Sequence, residues 1–165
     1  MFDQFLGLPM HILVLHAVVV LGPLAALCAI AYVLRPAWRW YLKWPTLALA
    51  VVTGVAGFVT GQSGEALQQQ MLANGLSGEL LQMVEAHAQV GKASAIIGII
   101  FMLVTVAIVW WALPASHRAG NTPTRPTSPL TVVAGGIEIL LALGLITIIA
   151  ITGHLGASAA WSGVF

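Results

Sequence analysis

The sequence predicts an all-α polytopic membrane protein, a bundle of four transmembrane helices with both termini outside. Three observations predict it. The 165 residues are 59% hydrophobic and 7% charged, with a mean hydropathy of +0.98, whereas a soluble domain needs about 25% charged residues to cover itself. Four apolar runs are each long enough to cross a hydrocarbon core, which takes about 20 residues. The links between the runs concentrate tryptophans and bases, as membrane–water interfaces do. The length fits a single domain spanning 1–165,. A net charge of +1 gives no footing for a nucleic-acid partner,. Cys28 is the single cysteine and lies in an apolar run, so packing is its expected role,.

The first run covers about 8–34 and contains PMHILVLHAVVVLGPLAAL,. Its flank MFDQF carries an acid and no base, and the run outlasts a signal-peptide core of about 7–15 residues, so a retained helix is expected,. Pro23 should kink it. The link RPAWRWYLKWP mixes Arg35, Arg39 and Lys43 with Trp38, Trp40 and Trp44, which reads as the cytoplasmic interface,. The second span, about 46–62, holds Gly54, Gly57 and Gly61,. Its GxxxG pair, Gly57 and Gly61, serves either close helix approach or room for a flat cofactor.

Residues 63–85 form the longest polar connection. Leu67, Met71 and Leu72 are expected on one side of a short amphipathic helix lying on the membrane. Asn74-Gly75 should break it, and Ser77 should open the next helix. The third span covers about 84–113, with the turns before it projecting beyond the bilayer,. A proline-rich loop with His117, Arg118 and Arg125 follows,. The fourth span covers about 130–155, and Trp161 is a candidate interfacial anchor,. Arg35, Arg39, Lys43, Arg118 and Arg125 lie in the first and third connections, while Asp3, Glu65, Glu79 and Glu85 lie on the opposite side. The positive-inside rule therefore places the termini and the long connection outside.

That topology brings His11, His16, His87 and His154 to one level of the membrane, and leaves His117 in a cytoplasmic loop. An imidazole in hydrocarbon needs a partner, so these four are the candidate site. Helical geometry puts His11 on a face with Leu15, Val18, Gly22 and Ala26, and His87 with Gly91, Ser94, Ala95 and Gly98,. His154 shares a face with Thr147, Leu143, Leu140 and Gly136,. These three are expected to face the bundle interior. His16 lies about 140° around the helix from His11, so both cannot address one central atom.

Imidazole suits iron, copper and zinc, and histidines on facing helices are a known way to hold haem. Small residues beside the histidines favour a broad planar ligand. The leading expectation is b-type haem and electron transfer, with copper or zinc as alternatives. Without a metal, the histidines would simply bond across helices in an accessory or scaffold subunit of a homo- or hetero-oligomer. Lys92 is expected to snorkel to the outer surface or to meet a haem propionate. Glu138 lies opposite His154 on its helix, placed to bond another helix or to relay a proton for a quinone. No nucleophile, substrate pocket or nucleotide loop is recognisable, so an independent enzyme is not expected.

Taken together, HILVLHAVVVLGPLAAL, VVTGVAGFVTG, EAHAQVGKAS and TGHLGASAAW resemble the bacterial membrane family called domain of unknown function 2231. That family has a His-x4-His segment, a Gly/Thr-rich second helix, a histidine opening the third helix and a Gly-His-Leu-Gly-type close. The resemblance implies a four-helix bacterial membrane domain suspected of binding haem in redox settings; the leading expectation adds a place in the bacterial cytoplasmic (inner) membrane and electron exchange with a quinone or a redox protein. It ranks His16 and His87 as the leading ligand pair, with His11 and His154 as a second pair or support. The helical faces favour His11 over His16, and both assignments stay open at this point.

Overall fold

The computed structural model describes residues 4–5, 8–115 and 128–162. Two two-residue strands, β1 (Gln4–Phe5) and β2 (Leu8–Pro9), pair antiparallel ahead of the first helix. The helices are α1 (Met10–Leu34), α2 (Arg39–Ala73), α3 (Gly78–Ala107) and α4 (Pro129–Trp161). A short 3₁₀ turn, Pro36–Trp38, joins α1 to α2, and α3 ends in a π turn, Ile108–Ala112. All four helices are long and apolar enough to cross a membrane. In hydrocarbon a backbone must satisfy its own hydrogen bonds, which is why runs rich in β-branched Val and Ile stay helical here. The expected loop with His117, Arg118 and Arg125 falls outside the described residues.

Helix ends follow local chemistry. The Ser128 side chain accepts from the Thr131 amide, and Pro129 occupies the first helical turn of α4, the arrangement expected of an N-cap. At the other end of α2, Leu76 N donates to Met71 O and Gly75 N to Leu72 O, both at 3.0 Å, with Gly75 at φ +91°. This Schellman closure needs a residue without a Cβ penalty. Ser77 precedes α3 in extended conformation, as the sequence predicts.

The surface helix expected around Leu67 does not form as a separate element. α2 continues unbroken through Ser63 to Ala73. The change in polarity at Ser63 alters the helix's surroundings, not its backbone geometry, and Ser63 Oγ donates to Val59 O within the same helix. With no breaker before Asn74, nothing ends the helix earlier. At 1.5 Å per residue α2 is roughly 50 Å long, so the α2–α3 hairpin projects past a core of about 30 Å.

Each helix packs on its sequence neighbours and α4 closes against α1, so α1 faces α3, and α2 faces α4, across the diagonals. Small residues let the backbones approach: Ala25, Ala26, Ala29, Ala50 and Ala142 surround Phe101 and Leu145 in the main core. Gly57 and Gly61 both lie against Ala95 of α3. The GxxxG pair thus serves helix approach, the term that drives packing in a lipid solvent. Leu24, Val55, Phe58, Leu103 and Leu140 point outward, where lipid is their solvent,.

A second cluster, Tyr32, Leu47, Ile108, Val109 and Leu113, closes the end of the bundle opposite the termini. Tyr32 Oη donates to Leu113 O at 2.7 Å, satisfying a carbonyl at the close of the π turn,. Arg39 Nε and Nη2 donate to the carbonyls of Tyr32 and Val33 at the end of α1. Lys43 Nζ lies 3.9 Å from the ring centre of Trp110, a cation–π contact. This end is the basic, tryptophan-lined one.

Candidate functional site: a histidine pair on the bundle axis

His11 opens α1 and His87 lies in the third turn of α3, the two helices on one diagonal. Their rings meet at the end of the bundle that carries the termini, with centroids 6.1 Å apart and planes at 82°. His11 Nδ1 donates to the Thr60 carbonyl of α2 at 3.0 Å, and His87 Nδ1 donates to the Thr152 carbonyl of α4 at 3.1 Å. A carbonyl only accepts, so each Nδ1 carries the proton and each Nε2 keeps its lone pair. The hydroxyls of Thr60 and Thr152 turn back to Ala56 O and Ile148 O and leave the threonine carbonyls to the imidazoles.

Each ring rests on a glycine. A Cβ built on Gly64 would lie 2.9 Å from Cε1 and Nδ1 of His11, and one on Gly156 would lie 2.9 Å from Cε1 of His87. Any side chain at either position would push the ring away. The supporting elements are therefore Thr60-Gly61-x-x-Gly64 and Thr152-Gly153-x-x-Gly156, one on each even-numbered helix. Sequence reading missed this. TGQSG and TGHLG stood in plain view as the same motif on two helices, each following a helix with a histidine near its start.

The correspondence extends down the bundle. On α1 and α3 the buried residues Gly22, Ala25, Ala29 and Tyr32 match the buried Gly98, Phe101, Thr105 and Ile108. On α2 and α4 Thr46, Ala50, Thr53, Gly57 and Thr60 match Glu138, Ala142, Leu145, Ile149 and Thr152, again all buried. The molecule is thus two helical hairpins in tandem, related by a pseudo-twofold axis along the bundle, the parallel kind of internal repeat. The histidine pair sits across that axis.

The other candidate histidines are not part of this pair. His16 is exposed, and its Nδ1 donates to Ile12 O of its own helix at 2.6 Å. His154 is exposed as well, a correction to its expected inward face. The interior face of α4 is Gly135, Glu138, Ala142, Leu145, Ile149 and Thr152. Because Glu138 and His154 lie on opposite faces, burying the carboxyl turns the imidazole out. Lys92 pairs with Glu65 of α2 at 2.9 Å on the surface of the bundle. Among the described residues no group of three or more His, Cys, Asp and Glu side chains assembles around a common point.

Two imidazoles bound end-on to one metal, each nitrogen about 2 Å from it and each ring centre about 1 Å further, have centres roughly 6 Å apart. The observed pair has that separation, and each ring has the Nδ1–H to carbonyl bond that ordinarily orients a metal-binding histidine. The chemistry the arrangement offers is donation by two neutral imidazoles held close together, each by its Nδ1–H.

The fold is a four-helix membrane bundle with one inward imidazole from each hairpin. The chain belongs to the family of predicted membrane proteins DUF2231, whose model matches residues 7–164. No curated protein and no solved structure matches it.

Proposed function

We propose that the protein is a membrane electron carrier that holds one b-type haem between His11 and His87. The observation that carries this reading is the pair itself: two Nδ1–H-anchored imidazoles from diagonal helices with ring centres 6.1 Å apart. Porphyrin supplies four equatorial nitrogens, so a haem needs only two protein donors. Zinc and copper sites recruit three or four, and no third His, Cys, Asp or Glu joins this pair among the described residues. His16 gives way to His11 in this reading, because His16 bonds its own helix on an exposed face.

Bound haem would supply a one-electron couple. The chain's own residues set the conditions for it. Thr60 and Thr152 hold the rings in orientation through backbone carbonyls that the helices fix in place, so little needs to move when charge changes. Gly64 and Gly156 keep α2 and α4 close to the rings. Two imidazole donors, His11 and His87, would suit a bound haem to electron transfer more than to oxygen chemistry. The bases at the opposite end, Arg35, Arg39 and Lys43, support placing the histidine end at the outer face of a bacterial cytoplasmic membrane. There a quinone or a redox protein would be the exchange partner.

The test is an absorption spectrum of the detergent-purified protein from haem-replete cells, oxidised and then reduced with dithionite. A Soret band with sharp α and β bands on reduction is expected, unchanged by carbon monoxide because both axial positions are filled. A colourless protein would reject the reading in favour of a packing subunit. A carbon monoxide shift in the unmodified protein would reject the two-imidazole centre.

A further inference from the structure

Far from the histidines, the two halves of the molecule differ at one buried pair. Where the first repeat places Ala29 and Thr46 on the interior, the second places Thr105 and Glu138, and all four are buried. Glu138 is 0% exposed. Its Oε1 accepts from Thr105 Oγ1 at 2.6 Å, while Oε2 has no hydrogen-bond partner. Thr46 Oγ1, the equivalent atom group on the diagonal helix, is also buried without a partner. A fold that packs this position with threonine in one half has no need of a carboxyl in the other. Leaving one carboxyl oxygen unsatisfied in a membrane interior is costly.

Glu138 lies about 13 Å along α4 from Pro129 and roughly 20 Å from Thr152, so the basic end is its nearer boundary. The level is fixed by Gly135, one turn away, which packs on Val33 of α1. The titratable and charged groups around this level are Cys28, half-buried on α1, Tyr32 of α1, whose hydroxyl is committed to Leu113 O, and Arg39 and Lys43 of α2. Arg39 caps the end of α1 and Lys43 turns onto Trp110. From α3 the group facing Glu138 is Thr105.

We propose that Glu138 is a proton-exchange site in the basic half of the bundle, binding and releasing one proton at Oε2 while Thr105 holds Oε1. The ligand is the proton and not an alkali cation, since one carboxyl and one hydroxyl fall short of the oxygen cage a cation requires,. The site stands apart from the histidine pair and does not depend on any metal there.

The test is infrared spectroscopy of the full chain in lipid films, titrated between about pH 5 and pH 9. The expected result is a protonated-carboxyl C=O band that varies with pH and shifts in D2O. It should be absent from Glu138→Gln and Glu138→Thr and present in His11→Ala. Glu138→Thr reproduces the first repeat at this position, so it should fold and melt like the parent. The proposal is overturned by no band lost on changing Glu138, by a band that ignores pH, or by collapse of Glu138→Thr, which would make the carboxyl a structural bond. Loss of the band on replacing potassium by sodium at constant pH would instead assign a cation site and overturn it too.

Discussion

His11 and His87 owe their roles to backbone groups more than to side chains. Each imidazole donates to a threonine carbonyl and rests on a glycine, so the sensitive positions are Gly64 and Gly156. Replacing either glycine by alanine puts a methyl 2.9 Å from a ring atom and should cut haem content of the purified protein at least several-fold. The glycine-to-alanine change at Gly136, where an added Cβ meets nothing, should leave it unchanged. Much of this was legible beforehand. The stripe of Val18, Gly22 and Ala26 beneath His11 identified the interior face, and all three are buried. His154 misled because a polar residue was assumed to face inward, when its helix had already turned Glu138 inward instead. The orienting carbonyls were not legible, since any residue type supplies one.

At the scale of the element, the interior of the bundle depends on a few well-packed side chains among many small ones. Phe101 is fully buried, while Phe58 is 53% exposed on the outer face of α2. Phe101→Ala should therefore cost about 3 kcal/mol or more, read as a lower melting temperature in detergent, and Phe58→Ala should cost far less. Gly75 closes α2 with φ +91°, so Gly75→Ala should destabilise by about 1 kcal/mol. Spans and caps were readable from composition and from breakers such as Asn74-Gly75. The length of α2 was not, because a shift from apolar to polar residues marks the edge of the bilayer without ending a helix. Nor was the repeat. Its one compact signature is TGQSG against TGHLG; elsewhere matched interior positions carry different residues, such as Ala25 and Phe101, so the rest of the repeat does not stand out in a linear chain.

The described residues form two hairpins that meet across one axis, with a histidine from each at one end and Arg39, Lys43 and Trp110 at the other. Its insertion should follow the bases. In a Cys28→Ser background, Gln69→Cys should label with an impermeant maleimide in intact cells and Ala37→Cys should not; the opposite pattern would invert the topology. Membrane class and helix number followed from composition, because a chain this apolar has only the bilayer as its solvent.

The most direct measurement compares reduced-minus-oxidised spectra of His11→Ala, His87→Ala and His16→Ala purified side by side. The two axial changes should each abolish the six-coordinate spectrum, leaving either no haem or a centre that now binds carbon monoxide, while His16→Ala keeps the parent spectrum. Normal α and β bands in His11→Ala, or their loss in His16→Ala alone, would contradict a centre built on the bundle axis.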